Sequence, residues 1–194
     1  MNGKKISTIT PGAVTRVLLL VIFFALGGCS LFNSNNLKSK DFTLLVASSD
    51  PQVRVAQQQW QVQQGADNYA LEVVVERGPH YWRWIMLNNL GQRLATAEAV
   101  NGTVRVERLQ SHPANHVLPA LIQAWQLGYW PLNDLQAANP RWDFVDGNGG
   151  REARFSGILR ASIEYQSTTA NPWQGSLSYN TRELRLLIHS QPLN

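Results

Sequence analysis

The sequence predicts a mainly β chain that closes, or nearly closes, an antiparallel barrel. Three observations predict it. Short runs of alternating apolar and polar residues recur from Phe42 onward, with the two-residue period of a half-buried strand. Turn signals separate these runs, among them Gly78-Pro79, Asn88-Asn89-Leu90-Gly91 and Asn101-Gly102. A single main stretch has helical spacing instead. Roughly ten strands would leave two sheet edges to protect, and barrel closure removes them. A two-sheet sandwich is the alternative. A membrane-spanning barrel is not expected, because the strands lack a continuous lipid-facing apolar band.

The first 28 residues read as an export signal. A basic start (Lys4, Lys5, Arg16) precedes the apolar run Val17 to Leu26, and Leu26-Gly27-Gly28-Cys29 follows. The run is too short to span ~30 Å of hydrocarbon as a helix. The tetrapeptide resembles a bacterial lipobox, so Cys29, the only cysteine, is the expected lipid-attachment residue. That resemblance implies three acyl chains including a palmitate-type amide. More than one chain is what stable anchoring requires. The residues after the cysteine are Ser30, Leu31 and Phe32, with no aspartate of the kind that retains lipoproteins at the inner membrane. The expectation is the outer membrane, periplasmic face. Residues 29–40 are polar and read as a lipidated tether, and 41–194 as one β-barrel domain.

Asn68 to Arg77 places Tyr69, Leu71, Val73 and Val75 on one face, and Glu72 and Glu76 on the other. His80 to Leu87 follows. Arg83 shares a face with Tyr81 and Ile85, which leaves Trp82, Trp84 and Met86 as the inward side. After the Asn88–Gly91 turn, Arg93 to Val100 and Thr103 to Leu109 form a hairpin through Asn101-Gly102, a type I′ signal. Asn115 to Leu127 has apolar residues at Val117, Leu118, Leu121, Ile122 and Trp125, spaced for a helix. Pro113 and Pro119 leave its start open, and Gly128 is the expected stop. Strands return at Trp142 to Val145, Arg151 to Ser156, Leu159 to Tyr165, Gly175 to Tyr179 and Glu183 to His189. In the last, Leu184, Leu186 and Ile188 oppose Arg185 and His189.

Charge narrows the partners. The pI near 9.5 belongs mostly to the signal: without Lys4, Lys5 and Arg16, 14 of the 17 basic residues remain against 13 acidic ones. With no Lys/Arg cluster, nucleic acid is not an expected partner. An acylated Cys29 leaves no thiol for a disulfide.

Two stretches carry a family resemblance. One is Trp82-Arg83-Trp84-Ile85-Met86-Leu87-Asn88-Asn89-Leu90-Gly91-Gln92-Arg93-Leu94. The other is Trp125-Gln126-Leu127-Gly128-Tyr129-Trp130-Pro131-Leu132-Asn133-Asp134-Leu135. With Ile163-Glu164-Tyr165 and Leu184-Arg185-Leu186, they resemble an uncharacterised family of proteobacterial lipoproteins often encoded near aryl polyene synthesis genes. More distantly, the order of features is similar to the lipoprotein carriers LolA and LolB. That likeness implies an open or incomplete antiparallel β-barrel with a helical lid over an apolar cavity for acyl chains. Asn88-Asn89-Leu90-Gly91 is similar to the LolB turn whose leucine protrudes, with Asn89 where that turn has proline. It implies Leu90 as a membrane or client contact. Trp82, Trp84, Met86, Leu71 and Val73 are the expected cavity lining.

Catalytic and metal chemistry find no pattern. His112 and His116 are interrupted by Pro113, and no third ligand is near in sequence. Asp134, Asp143 and Asp146 sit beside turn residues and suit turn or cap roles. Ser156-Gly157 and Gly175-Ser176 lack the context of a nucleophile elbow, and no glycine-rich phosphate loop occurs. The expectation is therefore non-catalytic, without cofactor or metal. It is a lipoprotein that binds or hands over lipid or lipidated clients, with a structural partner in an envelope complex as the alternative.

Overall fold

The computed structural model describes residues 41–166 and 171–193. The expected signal segment, Cys29 and the tether to Lys40 lie outside these residues. Ten strands make one antiparallel sheet: β1 (Arg54–Gln64), β2 (Asp67–Arg77), β3 (Trp82–Leu87), β4 (Arg93–Val100), β5 (Thr103–Arg108), β6 (Trp142–Gly147), β7 (Gly150–Phe155), β8 (Ile158–Tyr165), β9 (Gly175–Asn180) and β10 (Leu184–Pro192). The order is β5-β4-β3-β2-β1-β10-β9-β8-β7-β6. β5 and β6 are its unpaired ends, so the barrel is open. Between them in the chain lie a 3₁₀ turn (Pro113–His116) and two helices, α1 (Leu118–Tyr129) and α2 (Leu132–Ala138).

The alternation read from the sequence selects the buried face. Leu71, Val73, Val75, Trp82, Trp84, Met86, Leu184, Leu186 and Ile188 all join one core, while Arg83, Arg185 and His189 stay exposed. Asn101 and Gly102 both have positive φ (52° and 75°), as a type I′ turn requires. Ser156 and Gly157 repeat the pattern at the β7–β8 turn, with φ of 50° and 78°.

The sheet curls round α1. Trp125 of α1 lies 5.6 Å, ring to ring, from Trp82 of β3. A Cβ placed on Gly128 would come within 3.0 Å of Leu177 in β9. β3 and β9 are four strand spacings apart, about 19 Å on a flat sheet. A helix about 10 Å wide touches both only if the sheet wraps it.

Three local readings are corrected. The helix begins at Leu118 rather than Asn115, because Pro119 occupies its first turn and Pro113–His116 forms a separate 3₁₀ turn, where His112 Nδ1 accepts from the Ala114 N–H (3.1 Å). Gly128 is not the stop. It lies inside α1, which runs to Tyr129, and its missing Cβ admits Leu177. Residues 132–138 form a short second helix where only turn and cap roles were expected of Asp134.

Candidate functional site

The concave face is aromatic and closed. Trp60, Trp82, Trp84, Trp125 and Trp130 are all at most 1 % exposed. Edge-to-face pairs link Trp60 to Trp84 (5.9 Å), Trp82 to Trp125 (5.6 Å) and Trp125 to Trp130 (4.6 Å), the arrangement that ring quadrupoles favour. Trp82, Trp84, Met86, Leu71 and Val73, expected as cavity lining, are fully or almost fully buried here. They belong to the same buried core as Trp125 of α1, and Trp82 meets the Trp125 ring directly. The indole N–H groups of Trp84 and Trp125 have no hydrogen-bond partner among the described residues.

An extended strap, residues 41–50, closes the seam of the curled sheet. Trp142 at the start of β6 donates its indole N–H to the Asp41 carbonyl (2.7 Å). Trp82 of β3 donates to the Leu45 carbonyl (2.7 Å), and Trp130 to Ala47 (3.2 Å). β3 and β6 are seven spacings apart in the sheet, whereas four residues of chain reach at most about 14 Å. The strap therefore spans a gap between strands that the ladder does not close. Two side-chain amides take the place of a neighbouring strand. Gln126 of α1 accepts from the Leu45 N–H (2.8 Å) and donates to its carbonyl (2.9 Å). Asn139 does the same for Thr43 (2.7 and 3.2 Å). Asp134 of α2 fastens the far end by accepting from the Ser49 N–H (2.7 Å) and the Ser48 hydroxyl (3.3 Å).

The end of α1 is held by both halves of the sheet. Its last carbonyls would be orphaned in the interior. Arg151 of β7 donates to Leu127 (2.7 Å) and Trp130 (2.9 Å), Tyr165 of β8 to Gly128 (2.9 Å), and Arg77 of β2 to Tyr129 (3.0 Å). Both guanidiniums are balanced. Asp146 receives Arg151 in a two-point contact (2.6 and 3.2 Å), and Asp50 pairs with Arg77. Arg77 also lies over the rings of Trp173 (5.1 Å) and Trp130 (5.5 Å), which favours its charge. Burial lowers the Arg77 pKa, and Asp50 opposes that. For Asp50, burial acts upward, but the Gln52 N–H and the Arg54 and Arg77 charges hold the carboxyl below its usual value. Burial raises the Tyr165 hydroxyl, so it stays a neutral donor. A pocket of about 1000 Å³ opens here, lined by Arg54, Arg77, Trp130, Arg151, Tyr165 and Trp173 among others. Neither arginine was singled out from the sequence. Two arginines at inward positions of otherwise apolar strands were the available signal.

The Asn88–Gly91 turn stands apart. Asn88 Oδ1 accepts from the N–H groups of Leu90 (2.9 Å) and Gln92 (3.0 Å), and the Gly91 N–H returns to the Asn88 carbonyl (2.9 Å). Gly91 takes the positive φ of 72°. The Asn88 side chain thus orders the turn without proline at position 89. Leu90 at its tip is 82 % exposed.

Among the described residues, no group of three or more His, Cys, Asp or Glu side chains is placed to hold a metal. The family described as protein of unknown function (DUF3261) matches residues 55–192, well over half of the chain. No curated protein matches the chain.

Proposed function

The chain belongs to the DUF3261 family of proteins of unknown function, and we propose that this member is an outer-membrane lipoprotein that handles lipid or lipidated clients. Acylation of Cys29 would hold the domain at the bilayer, with aryl polyene lipid export the setting that the family resemblance implies. One observation carries the reading: a wrapped sheet presents an aromatic face that α1 and the strap cover, with Ala114, Leu135 and Trp173 packed beside them. LolA/LolB-like handling then requires α1 and the strap to move aside, so that an acyl chain replaces Trp125 and its neighbours against the sheet. Water rejects such chains, and an apolar groove opened at a membrane is a chemically sufficient shelter. Leu90 would meet the membrane or the client.

A disulfide lock tests this. Gly128→Cys with Leu177→Cys joins α1 to β9, and an acylated Cys29 cannot mispair with them. The reduced variant should bind a fluorescent fatty acid and carry lipid in native mass spectrometry, and the oxidised variant should not. Absence of binding by the reduced variant and the unsubstituted lipidated chain would refute lipid handling.

The filled interior favours a second reading, a non-catalytic assembly partner in an envelope complex. Cross-linking in intact envelopes should then recover one partner at fixed stoichiometry, and recovery of none would count against it.

A further inference from the structure

The tip of the β7–β8 hairpin combines exposed aliphatic side chains with unbalanced positive charge. Ile158 is 59 % and Leu159 49 % exposed, consecutive after the Ser156-Gly157 turn and on opposite faces of the hairpin tip. The guanidiniums of Arg141 and Arg160 lie 4.6 Å and 6.0 Å from the ring centre of Phe155. Arg154 is matched by Glu152 (2.7 Å) and faces Asp143 across the β6–β7 ladder. Arg141 and Arg160 make no ion pair among the described residues. Two like charges gathered on one ring beside an aliphatic tip suit a surface of phosphate groups over hydrocarbon.

The chain's own path points to the same surface. Asp41, where the described chain begins, is tied to Trp142, and the Trp142 ring lies 5.4 Å from that of Phe155. The tether thus enters the domain at the root of this hairpin. Twelve tether residues reach at most about 40 Å from Cys29, so an acylated cysteine would keep the tip within reach of the bilayer. Strand directions also place the β7–β8 and β3–β4 turns on one rim of the sheet.

We propose that the β7–β8 tip docks on an anionic lipid surface, Ile158 and Leu159 entering the headgroup boundary while Arg141 and Arg160 bind lipid phosphates. The tether argument rests on the anchoring reading above; the charge and exposure do not.

The test uses the full purified chain with an environment-sensitive fluorophore on Ser156→Cys, and a control label on Asn148→Cys at the opposite rim. Vesicles are phosphatidylcholine alone or mixed with phosphatidylglycerol. Expected is a blue shift of the Ser156 label on anionic vesicles and none for the Asn148 label. Arg141→Gln with Arg160→Gln should cut the anionic preference roughly 30-fold. Flotation with neutral vesicles reads the anchor independently. A chain that floats while the Ser156 label stays aqueous overturns the tip and spares the anchor. A chain that floats only with anionic vesicles, with the label shifted, supports the tip and removes the anchor. A chain that joins neither vesicle overturns both.

Discussion

The two rims of the sheet are built on opposite principles. At one, Arg77, Arg151 and Tyr165 point inward and spend their donors on the end of α1. At the other, Leu90, Ile158 and Leu159 point outward and bury little. The first rim contains most of the ionic chemistry that usually marks an active site, yet carbonyls and carboxylates there take most of its donors. Of the two guanidinium Nε–H groups, that of Arg77 alone lacks a partner among the described residues. The second contains side chains that folding does not need. The contrast teaches that strongly interacting residues here are structural, and that loosely held ones are the better candidates for contact with other molecules.

The largest effect should come from breaking the first rim. Arg151→Met leaves Asp146 without its ion partner and the Leu127 and Trp130 carbonyls without donors. Asp146 is 48 % exposed and water can take over its charge, so the cost comes mainly from the two buried carbonyls, about 1–3 kcal/mol each. The denaturant midpoint should therefore fall sharply. Arg151→Lys should recover only part, since a single ammonium cannot serve a carboxylate and two carbonyls in the same planar geometry. A loss under about 1 kcal/mol, the scale of an exposed pair, would show that this rim is not the structural one.

Next comes the strap. Gln126→Leu keeps the volume but strips the Leu45 N–H and carbonyl of their amide partner. Unsatisfied buried groups cost about 1–3 kcal/mol each. The strap should loosen before the sheet does, and limited proteolysis should cut within residues 41–50 faster than in the unsubstituted chain. Unchanged cleavage would mean that the indole, Asn139 and Asp134 contacts hold it without Gln126.

A smaller effect is expected from acid. The folded Asp50 carboxyl has a lowered pKa, so its contribution is present above the unfolded value of about 3.9. It is lost as pH falls through the lower folded value. Stability measured by denaturant at falling pH should therefore drop more in the native chain than in Asp50→Asn. Parallel curves would remove Asp50 from the support of Arg77.

How much of this was legible depends on what each residue faces. Alternation announced β2, β3 and β10, because their inward residues are plainly apolar. It did not delimit β1, the strand at the centre of the sheet. Its inward positions include Gln58, which is fully buried. Gln58 donates to Ser190 (2.9 Å) and accepts from the Trp60 indole (3.1 Å), and Ser190 meets Tyr129 at 2.6 Å. A buried glutamine reads as surface until its partner Ser190, 132 residues away in the chain, is in place. The arginine rim was hidden for the same reason: its partners are backbone carbonyls, which no side-chain pattern reveals. α2 was missed because seven residues after a proline carry too little periodicity. The Leu90 turn was legible because everything that orders it lies within five residues.

The smallest stability change, and the sharpest test of the comparison, belongs to Leu90. Leu90→Asn alters a side chain that is 82 % exposed and leaves the Asn88 hydrogen bonds untouched, since the Leu90 N–H is backbone. Its stability should stay within about 0.5 kcal/mol of the parent, as for ordinary surface changes. Transfer of an acylated client to vesicles should nonetheless fall, because a polar amide enters the apolar boundary at a cost that leucine does not face. Asn88→Ala separates position from chemistry. It keeps Leu90 but removes the acceptor that orders the turn, so transfer should weaken while vesicle partitioning of the tip survives. If both variants transferred as well as the parent, exposure at this rim would be incidental. Contact function would then have to be sought at the β7–β8 tip or beneath the strap.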